Sequence, residues 1–126
     1  MTVDILLVDD NVIQAATRKA ILARSGRSVA VASDGESALE YLDQPAIRPV
    51  GLVITDHLMP GMNGPEFVTA LRERFAQLPV LVLSGMADAE DDYEGLDVIF
   101  RVKPLPPEEL LALVRSLLDQ PIGRTA

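Results

Sequence analysis

Residues 5–10 read Ile5-Leu6-Leu7-Val8-Asp9-Asp10, four apolar side chains in a row stopped by two carboxylates. A half-exposed strand alternates apolar and polar residues, so an unbroken apolar run marks a strand covered on both faces, the pattern of a parallel sheet flanked by helices. The pattern recurs along the chain. Leu52-Val53-Ile54 leads to Asp56, Val80-Leu81-Val82-Leu83 to Ser84, and Val98-Ile99-Phe100-Arg101-Val102 to Lys103. Ser28-Val29-Ala30-Val31-Ala32 is weaker and half alternating, which suits a strand nearer the edge.

Helical stretches separate these runs. From Val12 to Ala23, apolar residues at Val12, Ala16, Ala20 and Ala23 predict an amphipathic helix with Arg18, Lys19 and Arg24 elsewhere and Gly26 as its stop. Asp34 is placed to cap a second helix over Glu36 to Leu42. Pro65 suits a first helical position, followed by a stripe of Phe67, Val68, Leu71 and Phe75 that ends before Pro79. The last helix opens at Pro106-Pro107-Glu108-Glu109 and carries Leu110, Leu111, Leu113, Val114, Leu117 and Leu118. Between Met86 and Leu96 there are five acidic residues, few apolar ones and Gly95, so any helix there should be short or frayed. Strand and helix alternate throughout, predicting a doubly wound sheet of five parallel strands in a three-layer α/β sandwich.

The 126 residues make one domain, expected over 1–120, with a short tail at 121–126 and no room for an output domain. Eleven basic residues against nineteen acidic ones give a net charge of -8, the wrong sign for direct nucleic-acid binding. The absence of cysteine removes zinc knuckles, thiol nucleophiles and iron–sulfur clusters, and the single histidine, His57, removes most histidine-based metal sites. Apolar runs of about five residues fall far short of the roughly 20 that span a bilayer, and the start of the chain lacks an export signal. A soluble, cytoplasmic protein without membrane partners is expected, its chemistry left to carboxylates, lysine, hydroxyls and backbone.

In open α/β sheets ligands bind beyond the carboxyl ends of the strands. Those ends carry Asp9 and Asp10, Asp56, Ser84 and Lys103. Three carboxylates at about 4 Å repel by on the order of 4 kcal/mol per pair at an effective dielectric near 20, so a cation is required. Hard oxygen ligands select Mg²⁺, which keeps waters and leaves positions open for phosphate oxygens. Lys103 adds a point charge and Ser84 a hydroxyl aimed at the same volume. Such a site can accept a phosphoryl group onto a carboxylate, with Asp56 the natural nucleophile and Asp9 and Asp10 holding the metal.

In combination, Asp9-Asp10, Asp56 followed by Met59-Pro60-Gly61 and Asn63-Gly64, Ser84, and Lys103-Pro104 resemble the receiver domain of two-component response regulators, across essentially the whole chain. The resemblance implies a flavodoxin-like (βα)5 fold and a signalling domain that assists only its own phosphoryl transfer and loss. It implies Asp56 as phosphoacceptor, Asp10, Asp56 and the Leu58 backbone carbonyl as Mg²⁺ ligands, and Asp9 acting mostly through water. Ser84 and Lys103 would contact the phosphoryl oxygens, Phe100 would be the aromatic switch, and the Lys103-Pro104 bond would be cis. The implied donor is a phosphohistidine on a sensor histidine kinase or phosphotransfer protein, the output an unknown downstream protein met through the face of the 86–97 segment, fifth strand and last helix. Leu58 and Met86 occupy the positions that tune self-dephosphorylation. Met62 and Gly85 depart from the common pattern, the 86–97 segment is short, and Phe100 lacks a tyrosine's hydroxyl. A monomer or weak dimer is therefore expected.

Bland readings exist for single residues: Asp9-Asp10 as a helix cap, Ser84 as a loop hydroxyl, the run Glu90 to Glu94 as a solvated surface, and His57 as a bystander on the opposite face of its strand. A flavodoxin-like mononucleotide binder would want a glycine- and hydroxyl-rich loop where Asp9-Asp10-Asn11 stands. An aspartyl-phosphate phosphohydrolase would want its nucleophile on the first strand and a cap domain. A phosphorylation-independent adaptor or a phosphorelay intermediate would keep the fold.

Overall fold

The computed structural model describes residues 3–44 and 50–119, so the tail expected at 121–126 lies outside the described residues. The strands are β1 (Ile5–Val8), β2 (Val29–Ala32), β3 (Leu52–Asp56), β4 (Val80–Ser84) and β5 (Ile99–Val102). All pair in parallel, in the order β2-β1-β3-β4-β5. The half-alternating β2 is an edge strand, while β3 is central and buried along its whole length. The chain order reverses between β1 and β3, which opens a crevice at their carboxyl ends.

Period-two alternation splits the apolar strands between two cores. Ile5, Leu7, Leu52, Ile54, Leu81 and Leu83 face α1 (Val12–Ala23) and α4 (Pro107–Leu118), meeting Leu22, Leu110 and Val114. Leu6, Val8, Val53, Val80 and Val82 face the other way, toward α2 (Gly35–Leu42) and α3 (Gly64–Arg74), meeting Leu39, Phe67, Val68 and Leu71. This is the three-layer sandwich that the continuous apolar runs predict.

The helix starts follow capping chemistry. Asn11 accepts from the Gln14 amide, Asp34 from the Ser37 amide at 2.7 Å, and Asn63 forms a reciprocal capping box with Glu66. At the other end of α3, Arg72 donates to four carbonyls, those of Phe75, Leu78, Leu96 and Asp97, and so ties the helix to the approach to β5.

The phase of α1 corrects the sequence expectation. Val12 is 82% exposed and Ala16, Ala20 and Ala23 also face outward, whereas Ala15 and Leu22 are buried. The helix is rotated because Leu22, with Ile21 half-buried beside it, offers more apolar surface than the line of alanines, and burial scales with area. Gln14 and Arg18 therefore lie on the inner side.

The acidic stretch forms a 3-10 helix over Ala87–Tyr93 in place of an α-helix. Asp88, Glu90, Asp91 and Asp92 share one sign of charge, the helix start has no side-chain cap, and only Ala89 and Tyr93 are buried. That is too little apolar surface to hold a regular helical face against the sheet.

Candidate functional site

Asp9 directly follows β1 and Asp56 closes β3, adjacent strands whose carboxyl ends meet at the crevice. Asp9 and Asp56 are buried and Asp10 is exposed at the rim. Each of the three offers a carboxylate oxygen lying within 4.8 Å of the others'. An ion bound at about 2.1 Å from each oxygen separates its ligand atoms by up to roughly 4.2 Å, so these residues fit a small, hard, oxygen-seeking cation after modest closure.

Four further groups converge on the cluster. Asp9 Oδ1 accepts from the Asn11 amide at 2.9 Å, which anchors the carboxylate to the start of α1. The Lys103 ammonium lies 3.1 Å from Asp56 Oδ1 and 3.4 Å from Gln14 Oε1. The Lys103-Pro104 peptide bond is cis. Gln14 Nε2 donates to Asp9 Oδ2 at 2.9 Å and to Asp56 Oδ2 at 3.1 Å. Arg18 Nη1 bridges Asp9 Oδ2 at 3.1 Å and Asp56 Oδ1 at 2.9 Å. Two cations thus face three carboxylates. Burial, together with the hydrogen bond and charge of neighbouring Asp56, pushes the Asp9 carboxyl up to about 6, against the lowering bonds from Asn11 and Gln14.

The remaining sequence candidates lie around this centre. Ser84 is buried at the end of β4, but its hydroxyl accepts from the Met86 amide at 2.9 Å and is thereby turned into its own loop. Leu58 is 67% and Met86 43% exposed, apolar residues on the loops following β3 and β4. Phe100 is buried in β5 with its ring 5.9 Å from that of Tyr93. His57 follows Asp56 and belongs to the opposite side of the sheet: its Nδ1 lies 2.7 Å from Tyr93 Oη. A Cβ on Gly64 would collide with that hydroxyl and stand 3.0 Å from the His57 carbonyl oxygen, so the start of α3 closes over the pair only because residue 64 is glycine.

Gln14 and Arg18 are the site residues that the sequence reading missed. They are one helical turn apart, so their side chains leave the same face of α1 toward the same crevice. The available signal was the demand of three carboxylates for positive charge, combined with an apolar line at Ala15 and Leu22 that turns Arg18 inward.

A family model described as the response regulator receiver domain matches residues 5–115. The chain belongs to this family. It is 37% identical over 121 residues to the response regulator MprA of Mycobacterium bovis and 36% identical over 117 residues to the transcriptional regulatory protein CpxR of Escherichia coli. These alignments cover 94% and 90% of this chain but 51% and 48% of the relatives, so the chain spans about half the length of the curated relatives it matches. Among solved structures, the receiver superposes on the chemotaxis protein CheY4 of Vibrio cholerae with a TM-score of 0.82 and 28% identity, covering 94% of this chain and all of that one. The chain is thus a receiver domain of the response-regulator family, a two-component signalling family. Among the described residues no helix is long and apolar enough to cross a membrane.

Proposed function

We propose that this receiver takes a phosphoryl group from a phosphohistidine donor onto Asp56 with Mg²⁺ bound, and that the modified crevice changes which downstream protein the domain binds. The observation that carries the reading is the position of Asp56. It closes the central strand, shares a ligand cluster with Asp9 and Asp10, and has the Lys103 ammonium 3.1 Å from one oxygen. Asp10, Asp56 and the Leu58 carbonyl would hold the ion directly, with Asp9 acting mainly through water. The ion supplies charge neutralisation for the phosphoryl oxygens.

In the transfer, an Asp56 oxygen forms a bond to phosphorus as the bond to the donor's imidazole nitrogen breaks, and the electron pair leaves with the imidazole. The chain's own contribution is positioning and charge: Lys103 offers three donors to the phosphoryl oxygens, and Ser84 exchanges its Met86 partner for one of them. That exchange frees the loop after β4, which runs into the 3-10 segment whose Tyr93 packs on Phe100. Output then passes through the face of the 3-10 segment, β5 and α4. Leu58 and Met86 cannot hydrogen-bond an attacking water, so intrinsic loss of the phosphoryl group is slow.

The signalling unit is assigned to residues 1–120 and to the cytoplasm, its donor being a sensor histidine kinase or a histidine phosphotransfer protein. With a net charge of -8, the unit itself is unsuited to nucleic acid; control of transcription, as the name of CpxR states for that protein, would require a partner or a further segment.

The test is phosphorylation of the purified chain by acetyl phosphate. Uptake requires Mg²⁺, is read as a mass increase of one phosphoryl group, and falls by more than about 100-fold in Asp56→Asn, the loss expected when the nucleophile is removed. Undiminished uptake in that variant would place the acceptor elsewhere.

A further inference from the structure

Arg18 is an arginine from the second turn of α1 whose side chain is only 12% exposed. Its Nη1 binds one oxygen of Asp9 and one of Asp56, so it spans the two strands that form the crevice. Gln14, one turn earlier, places Nε2 on the same Asp9 oxygen and on the other Asp56 oxygen. Both oxygens of Asp56 and one of Asp9 are thus occupied by donors from α1, and these are among the atoms that a divalent cation would use.

We propose that Arg18, flanked by Gln14, is a resident counterion of the acidic crevice, and that displacing it sets the affinity of the site for a divalent cation. The inference rests on the metal-dependent reading above. Three converging carboxylates must be compensated whether or not a metal is bound, and a guanidinium covalently tethered on the adjoining helix α1 meets that need at an effective concentration no free ion reaches. The same tether makes it a competitor. A cation reaching Asp56 must dislodge a charge-assisted hydrogen bond and then share the crevice with, or expel, a like charge. Arg18 is therefore a positioning residue whose main effect is on metal affinity, and through it on how much Mg²⁺ the receiver needs before it can accept a phosphoryl group.

The experiment compares the whole chain with Arg18→Leu and Arg18→Gln by calorimetric Mg²⁺ titration and by thermal melts with and without MgCl₂. Both variants should bind Mg²⁺ on the order of tenfold more tightly, melt below the parent chain when metal-free, and gain more than the parent when Mg²⁺ is added. A variant that folds only with Mg²⁺ present would support the proposal in its strongest form, since the ion would be replacing the guanidinium. Equal Mg²⁺ affinity in the parent and the folded variants would overturn the competition while leaving the metal-dependent reading intact. If none of the three proteins bound Mg²⁺, both would fall. A variant that stayed unfolded in Mg²⁺ would make Arg18 a structural residue only, and that too would overturn the proposal.

Discussion

Asp56 and His57 are neighbours in the chain and lie on opposite sides of the sheet, and the polar cluster around each has a different character. Around Asp56 the partners are ionic: Asp9, Arg18 and Lys103, with Gln14 bridging. Around His57 the partners are a phenol, Tyr93, at Nδ1, which burial and the charge of Asp92 push above its usual range, and the Asp92 carboxylate 3.9 Å from Nε2. The Tyr93 ring continues the contact to Phe100. The ionic cluster is built from groups that bind cations and protons. The His57 cluster is built on aromatic packing, through Tyr93 to Phe100.

Four perturbations would break or sharpen this contrast. Gly64→Ala should have the largest effect on the fold, because the new Cβ meets Tyr93 Oη and the His57 carbonyl and neither can yield without moving the start of α3. A loss of roughly 2–3 kcal/mol in denaturant melts is expected, the range for forcing atoms into a packed site. Combining it with Tyr93→Phe should cost less than the two changes summed, because the hydroxyl that is struck has been removed.

Leu58→Asn combined with Met86→Glu places polar side chains on the two exposed loop positions beside the ionic cluster. The half-life of the phosphorylated chain at fixed Mg²⁺ should fall by roughly tenfold, the effect of about 1.4 kcal/mol on the barrier. An unchanged or longer half-life would show that water access is controlled elsewhere.

Acidification should act on the ionic cluster through Asp9. Asp9 titrates near 6 in the folded chain against an ordinary value of 3.8. Mg²⁺ requires the carboxylate, so affinity should fall by about tenfold between pH 7 and pH 5, because at pH 5 the protonated form outnumbers the ionised form by about that factor. The stability linkage of this group has the opposite sense. Between 3.8 and about 6 the folded state binds more protons than the unfolded state, so Asp9's contribution to metal-free stability decreases as pH rises through that window. Calorimetric titration at the two pH values measures the first effect, and Asp9→Asn should flatten both dependences.

Tyr93→Phe is the mildest change. It removes the partner of His57 Nδ1 while keeping the ring against Phe100, and should cost about 1 kcal/mol, the net worth of one buried hydrogen bond. Phosphoryl uptake from acetyl phosphate should persist, since the proposed acceptor Asp56 lies on the other side of the sheet. A collapse of uptake would show the two clusters to be coupled more tightly than their separate faces suggest.

The sheet and its layers were legible because the apolar runs carry their own evidence of burial, and their polar ends place Asp9, Asp10, Asp56, Ser84 and Lys103 at or just past the carboxyl ends of the strands whatever the helices do. Less was legible where the local pattern was weak. Alanines at positions 15, 16, 20 and 23 support more than one inward face for α1, so its phase was decided by Leu22 against the sheet, and with it the burial of Arg18 and Gln14 in the crevice. Likewise, nothing near Gly64 in the chain announces Tyr93, which lies 29 residues later (93 − 64) and reaches it only because the acidic segment packs as a 3-10 turn beside β5. Strand burial and capping are short-range properties that sequence by itself determines. Which face a small-residue helix turns inward, and which distant hydroxyl fills a glycine's space, are settled by competition for buried area across the assembled fold.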